Sequence, residues 1–363
     1  MYSMTLEINQ KCNLKCKYCY LGEKAGTVMS LETAKKSIDL AFQKAEIHRD
    51  RKIWFDFIGG EALLDFELLN QMMSYILEQN KDKRFNLKFS MTSNATVLNQ
   101  RFMDFLIGNK FDLKISIDGY EEVHDLNRIT HNERGSFNKI IKNWDYIADY
   151  EMKTGKYVQV TNVVTRNNYM FFYESVKFLV EELGVKIIDT AIDLFVDWTK
   201  EELETICSHI YRIYALYERC FNERRAFGWS FVNEVLHSVE EKRKFYSCGA
   251  GIISLYVRTD GTFFSCSTHM AQEEGLGDVD RGLNPQKIAY LKQLNSIDNE
   301  TCLACEIYEL CEAKSCIMQS LDTNGDVNIP DPTLCYMQKF KTSFYYDNLR
   351  SLKKINEGSY ANG

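Results

Sequence analysis

No apolar run in this chain of 363 residues approaches the roughly 20 residues that a membrane-spanning helix requires, so no segment is expected to cross a bilayer. A basic and then apolar signal region is also missing. The chain opens directly on Met1, Tyr2, Ser3, Met4, Thr5, Leu6 and Glu7, and a cytoplasmic location is expected. Nor is there a clustered basic face. With a net charge of -7 the composition argues against a nucleic-acid groove, because phosphate binding needs concentrated positive charge. Internal repeats and low-complexity tracts are absent too. What the chain has in quantity is cysteine, twelve in all. In a reducing compartment thiols do not persist as disulfides, so cysteine at this density points to metal or redox chemistry.

Hydrophobic residues make up 45% and charged residues 26%, ordinary for a globular protein, and the length suggests one large domain plus an appendage. Strand-like runs alternate with longer runs of helical period, the pattern of a parallel sheet with crossover helices. Strands are predicted at Thr5 to Asn9, Lys52 to Ile58, Leu87 to Thr92, Leu113 to Ile117, Tyr157 to Val164 and Lys186 to Ile192. Helices are predicted at Leu31 to Ala45, Phe66 to Glu78, Asn99 to Ile107, Phe137 to Tyr150 and Phe171 to Glu182. Six such units imply an α/β fold with a partial, TIM-like (β/α)6 barrel over residues 1–198, with its chemistry at the carboxyl ends of the strands. Residues 199–244 read as a helical bridge with an apolar stripe of Leu203, Ile206, Ile210, Ile213 and Leu216. A small cysteine-rich domain is expected over 245–345 and a closing tail over 346–363.

Cys12, Cys16 and Cys19 lie in the loop after the first strand. Three thiolates on a four-iron cluster leave one iron open to bind something else. A zinc knuckle would want a fourth Cys or His nearby, and none precedes His48. The C-x3-C-x2-C spacing, with Tyr18 before the last cysteine, resembles the signature of the radical S-adenosylmethionine (SAM) superfamily. The resemblance implies that Cys12, Cys16 and Cys19 hold a [4Fe–4S] cluster whose open iron chelates SAM. Reductive cleavage would then yield a 5′-deoxyadenosyl radical that takes a substrate hydrogen.

Further stretches fit the same family at the strand ends. Gly59-Gly60-Glu61 resembles the GGEP motif, with Ala62 in place of proline; the glycines permit close backbone approach and Glu61 can accept hydrogen bonds from an ammonium. Thr92-Ser93-Asn94 resembles the TNG stretch, with an inserted serine and Ala95 replacing glycine. Ser116, Asp118 and Arg128 match positions on the ribose and carboxylate sides of the cofactor, a task suited to a guanidinium fork. Tyr18 and Ile187 are further cofactor contacts that the resemblance implies. Each short motif alone reads as readily as a plain turn.

The second cysteine group comprises Cys248, Cys266, Cys302, Cys305, Cys311, Cys316 and Cys335. Its pattern, with four residues between Gly261 and Cys266, resembles the SPASM domain that follows radical SAM barrels, departing by four rather than three residues between Cys311 and Cys316. A zinc ribbon would prefer two matched C-x2-C hooks. The resemblance implies two auxiliary [4Fe–4S] clusters, hence three in all. Cys302, Cys305, Cys311 and Cys335 would hold the outer one, and Cys248, Cys266 and Cys316 the inner one. Because Ser254 stands where some members carry another cysteine, the inner cluster's fourth place is left either to a substrate thiolate or to water or another side chain. Cys207 and Cys220 read as small buried hydrophobes. His269 reads as an ordinary loop residue, and Trp54, Phe55 and Phe57 as core.

Members of this family act mostly on peptides or proteins. The expected activity is thioether formation between a cysteine sulfur and a carbon of another residue in a ribosomally made precursor peptide. Carbon–carbon or carbon–oxygen crosslinking is an alternative. Formylglycine formation on a sulfatase ranks lowest, because that family places an aspartate directly after the second cysteine of the domain and this chain has Ser267. An iron–sulfur electron carrier would have no need of Glu61, Ser116 and Arg128. The expected partners are a Cys-containing precursor peptide and an external donor such as flavodoxin or ferredoxin. With eleven residues before Cys12, a separate leader-binding protein or the barrel surface is expected to hold any leader.

Overall fold

The computed structural model describes residues 1–22, 25–240, 249–268, 270, 272–294, 299–313 and 316–360. Strands and helices alternate along the first half of the chain: β1 (Tyr2–Glu7), α1 (Leu31–Ala45), β2 (Lys52–Ile58), α2 (Phe66–Gln79), β3 (Asn86–Ser93), α3 (Gln100–Gly108), β4 (Asp112–Ser116), α4 (Glu121–His124), α5 (Phe137–Ile141), α6 (Trp144–Thr154), β5 (Gln159–Val164), α7 (Phe172–Glu181) and β6 (Ile187–Ile192). Then come α8 (Lys200–Asn222), β7 (Gly228–Trp229), α9 (Ser230–Glu240), β8 (Ser254–Val257), β9 (Thr262–Phe264), β10 (Gly277–Asp278), β11 (Gly282–Leu283), α10 (Pro285–Gln293), α11 (Glu300–Leu303), α12 (Ile317–Asn324), α13 (Pro332–Asp347) and α14 (Leu349–Tyr360). Side-chain caps start several helices, as at Ser30 before α1 and Asn99 before α3, and Thr199 with Glu202 forms a capping box on α8. Among the described residues no helix is long and apolar enough to cross a membrane.

The chain folds as two compact units. The first comprises Met1–Ser116, Asn127–Val158 and Cys248–Leu294. Its strands β1 to β4 pair in parallel, in a register that aligns Thr5 with Asp56 and Asp56 with Ser90. Period-2 alternation sorts β2 cleanly: Ile53, Phe55 and Phe57 are buried, while Trp54 and Asp56 point to the other face and are only partly buried. The buried face is strongly aromatic. Phe57 meets Phe111 at 5.6 Å between ring centroids, and Phe66 meets Phe105 at 5.1 Å. Each such ring contributes about 1.5–3 kcal/mol on burial.

The second unit comprises Ile117–Leu126, Gln159–Ser247 and Asn295–Gly363. Here β5 and β6 pair in parallel, and β7 joins β6 in parallel with Ile188 opposite Trp229. Helix α8 buries Leu203, Ile206, Ile210, Ile213 and Leu216, the predicted stripe. Phe344 of α13 is fully buried against Tyr211, Tyr214 and Phe231.

Three segments differ from the sequence reading. The stretch read as a helical bridge holds a strand, so α8 acts as one more crossover, from β6 to β7. Two residues of strand leave no alternation to detect. The single helix predicted over Phe137 to Tyr150 breaks between α5 and α6, where Asn143 turns to donate from Nδ2 to the Ala95 carbonyl at 2.9 Å. Finally, the cysteine-rich segment is shared between the units, because β8 adds to β1 in parallel with Tyr256 opposite Thr5.

Candidate active site

The loop that carries Cys12, Cys16 and Cys19 leaves β1 at its carboxyl end, and its path is set by backbone bonds on two sides. Gly60 N donates to the Asn9 carbonyl at 2.9 Å and Glu61 N to the Lys11 carbonyl at 2.7 Å. On the other side Lys15 N donates to Ile129 O at 2.7 Å and Lys17 N to Asn127 O at 3.0 Å. The glycine pair is explained by this crowding. A Cβ on Gly60 would stand 2.1 Å from the Lys11 carbonyl oxygen, and one on Gly59 would stand 2.6 Å from that of Asn9. What the two glycines admit is the backbone of the cysteine loop itself.

Glu61, only 1% exposed, spends its carboxylate on the chain. Oε1 accepts from Ser93 Oγ at 3.0 Å and from Leu63 N at 3.4 Å, and Oε2 accepts from Asn94 N at 2.8 Å. The expected hydrogen bonds to a ligand ammonium are thus preceded by a structural duty, which clamps the turn after β3 against the turn after β2. Asn94 in turn reaches Cys12, its Nδ2 lying 3.7 Å from Sγ, and Leu14 N approaches the same sulfur at 3.4 Å. Donors aimed at a sulfur suit a thiolate that ligates iron. The pairing of the cysteine loop with residues 127–130 sets the Arg128 guanidinium over the Tyr18 ring, 5.1 Å from its centroid. Ser116 ends β4 in the same unit.

Two predicted cofactor residues are placed otherwise. Asp118 is buried and accepts from Val163 N at 3.1 Å, while its own N–H donates to His124 Nδ1 at 3.2 Å. It secures the segment after β4 to β5. Ile187 is the first residue of β6 and so sits at the amino end of its strand, not at the carboxyl end where the cofactor was expected.

The structure adds residues that spacing did not reveal. His131 Nε2 lies 2.8 Å from the Cys12 carbonyl, and Asn13 Nδ2 donates to Thr96 Oγ1 at 2.6 Å. Asn9 Nδ2 donates to the Glu61 carbonyl at 3.0 Å and to Asp65 Oδ2 at 2.7 Å. Tyr20 combines 47% exposure with a hydroxyl pKa that the surrounding protein pushes up, an effect strengthened by Cys19 and opposed by a hydrogen bond with Ser267. Asp56 and Glu7 lie within electrostatic reach of Tyr20. Burial raises the pKa of both carboxyls, against the hydrogen bond from Ser90 to Asp56 and that from Thr259 N to Glu7.

In the second unit two of the thiols assigned to the outer cluster, Cys311 and Cys335, are raised. Burial first, and then the charges of Cys335, Cys305 and Cys302, push the Cys311 thiol up; Cys335 is raised by burial and by Cys305 and Cys302, against Lys339. Among the described residues no three His, Cys, Asp or Glu side chains close tightly enough to hold a single metal ion. A cubane instead binds each thiolate at a separate iron. Of the three cysteines assigned to the inner cluster, Cys248 lies outside the described residues, Cys266 belongs to the first unit and Cys316 to the second. His269 is likewise outside the described residues. Cys207 and Cys220 are buried in α8. An apolar cavity of about 340 Å³, walled by Phe172, Ile192, Trp229, Phe231, Leu334 and Met337, opens at the carboxyl end of β6.

Residues 6–178 match the radical SAM superfamily. The chain carries a radical SAM domain. It is 31% identical over 203 residues to an uncharacterised protein of Methanocaldococcus jannaschii, covering 56% of this chain and 66% of that one. It is 23% identical over 373 residues to a cysteine-type anaerobic sulfatase-maturating enzyme of Clostridium novyi, covering 96% and 95%. With AlbA, an antilisterial bacteriocin subtilosin biosynthesis protein of Bacillus subtilis, it shares 25% identity over 282 residues, covering 76% and 56%. The solved structure of native anSMEcpe with bound AdoMet shares the fold, with a TM-score of 0.77 at 18% identity over 98% of this chain and 99% of that one. Residues 6–178 thus carry a radical SAM domain, and the chain, an α/β fold built on parallel strands, is similar to sulfatase-maturating and bacteriocin-biosynthesis proteins. Membership of this superfamily implies SAM and a [4Fe–4S] cluster.

Proposed function

We propose that this enzyme joins a cysteine sulfur to a carbon of another residue within a ribosomally made precursor peptide, forming a thioether. Ser267 carries the reading. In the sulfatase-maturating family an aspartate stands directly after the second cysteine of the C-terminal domain, whereas here Ser267 follows Cys266. The chain's similarity to a bacteriocin biosynthesis protein supports a peptide substrate.

When bound, the cluster and SAM supply the one-electron chemistry that takes a hydrogen atom from the substrate. The chain's own residues do the rest. Cys12, Cys16 and Cys19 hold the cluster in a loop braced by Gly60, Glu61 and residues 127–130, and Arg128 over Tyr18 forms one wall of the cofactor side. Cys302, Cys305, Cys311 and Cys335 hold an outer auxiliary cluster. Cys248, Cys266 and Cys316 would hold an inner one, with its fourth place left to a substrate thiolate or to water or another side chain. A donor such as flavodoxin or ferredoxin supplies electrons, and a separate partner or the barrel surface holds any leader.

A second reading is sulfatase maturation, favoured by the relationship of nearly full length to a cysteine-type maturating enzyme. The two are separated by offering the anaerobically reconstituted enzyme a Cys-containing precursor peptide and a cysteine-type sulfatase peptide. Loss of two hydrogens from the first with a cysteine that no longer alkylates supports the thioether; an aldehyde on the second supports maturation.

A further inference from the structure

The Asn94 side chain has two N–H donors and a carbonyl oxygen with two lone pairs. All four are engaged within the chain. Oδ1 accepts from Thr96 N at 3.0 Å and from Thr96 Oγ1 at 2.7 Å, while Nδ2 donates to Asn13 Oδ1 at 2.9 Å and to Cys12 Sγ at 3.7 Å. The backbone N–H of Asn94 is held by Glu61. The orientation of the amide is not arbitrary. Only the oxygen end can receive the Thr96 N–H, so the nitrogen end must face Asn13 and the sulfur. Thr96 is itself located by the Asn13 Nδ2 donation to its Oγ1 at 2.6 Å.

We infer that Asn94 is a positioning residue that acts on the radical-generating cluster through Cys12 Sγ, raising its reduction potential, and that its side chain is not a contact to SAM. A saturated amide has no donor or acceptor to offer a nucleoside or an amino acid. It does offer the thiolate a fixed dipole. Reduction adds an electron to the cluster and puts more negative charge on its sulfurs, so an N–H aimed at sulfur stabilises the reduced state more than the oxidised one. Asn94 is only 8% exposed, and little water is at hand to replace that donor. The inference rests on the radical SAM domain alone and is independent of which bond the enzyme forms in its substrate.

The test is an anaerobic potentiometric titration of the reconstituted holoenzyme, followed in the EPR signal that SAM perturbs, together with SAM affinity. Asn94→Ala is expected to make that potential more negative by an amount equal to about a threefold fall in the reduced-to-oxidised ratio, or ~28 mV for one electron. SAM affinity should stay within about twofold of wild type, the change expected when no polar contact to the ligand is lost. Thr96→Ala, which removes the hydroxyl donor to Oδ1 and leaves the amide held there by the backbone N–H alone, is expected to shift the potential in the same direction by less. Asn13→Ala takes away the acceptor of the other Nδ2 hydrogen and the contact that locates Thr96, and is likewise expected to make the potential more negative by less than Asn94→Ala does. A wild-type potential in Asn94→Ala overturns the inference, as does a loss of SAM affinity with no change in potential. Should Asn94→Ala fail to hold iron, Thr96→Ala decides: a shifted potential sustains the inference and an unshifted one overturns it.

Discussion

The Asn94 backbone N–H donates to the Glu61 carboxylate at 2.8 Å, tying the turn after β3 to the turn after β2. With Ser93 Oγ on the other oxygen, this one buried acid organises two of the loops that frame the cluster. Glu61→Ala should strand those donors in a buried site, at a cost of about 1.5–3 kcal/mol. The expected result is a lower anaerobic melting temperature and weakened SAM binding measured by calorimetry. Wild-type stability would show that the clamp is not needed.

Two small residues near the loop should respond in opposite ways. Gly60→Ala places a methyl 2.1 Å from the Lys11 carbonyl oxygen, so the cysteine loop must move and iron loading should fall, with about 3 kcal/mol or more of lost stability. Ala95 holds a φ of +59°, which favours glycine. Ala95→Gly relieves that strain but gives up a fully buried methyl worth about 0.8 kcal/mol. The two effects nearly cancel, so stability should change by less than about 0.5 kcal/mol, whereas Ala95→Val should lose about 2 kcal/mol because a β-branched residue tolerates this φ poorly.

Asp56 should leave a pH signature. Burial raises its pKa in the folded protein, despite the Ser90 hydrogen bond and the Lys114 charge. Its stabilising contribution is complete below the unfolded value of about 3.9 and is lost as pH rises through the folded value. Asp56→Asn removes that dependence. The stability of the variant relative to wild type should therefore rise between about pH 4 and pH 7 in thermal melts, since a raised carboxyl pKa penalises only the ionised form.

The legible and the hidden parts of the fold divide along physical lines. Strand β2 runs from Lys52 to Ile58 as predicted, because its apolar and polar residues alternate without interruption. Helix α1 likewise matches from Leu31 to Ala45, with Ser30 as a recognisable cap. The cysteine spacing and Gly59-Gly60-Glu61 are local patterns, and both could be read in the chain. Asn94 and His131 approach Cys12 from 82 and 119 residues away, and no local pattern encodes such contacts. The bond from Val163 N to Asp118 spans 45 residues and was hidden for the same reason.

Cysteine chemistry gives a further separation. Burial pushes the Cys207 thiol up to about 12 and raises that of Cys220, so both should resist alkylation in the folded protein. Cys207→Ala and Cys220→Ala should keep full iron content. Cys302→Ala should lose about a third, since Fe–S clusters depend on their thiolate ligands and three are proposed. Equal iron loss in all three variants would contradict the assignment.

The most direct test of the proposed activity is mass spectrometry of a Cys-containing precursor peptide encoded beside this gene, after anaerobic incubation with the reconstituted enzyme, SAM and a reductant, followed by thiol alkylation. The thioether reading predicts a peptide lighter by two hydrogens in which one cysteine no longer alkylates. A peptide lighter by two hydrogens with every cysteine still alkylating would contradict it, and would assign the enzyme to carbon–carbon or carbon–oxygen crosslinking.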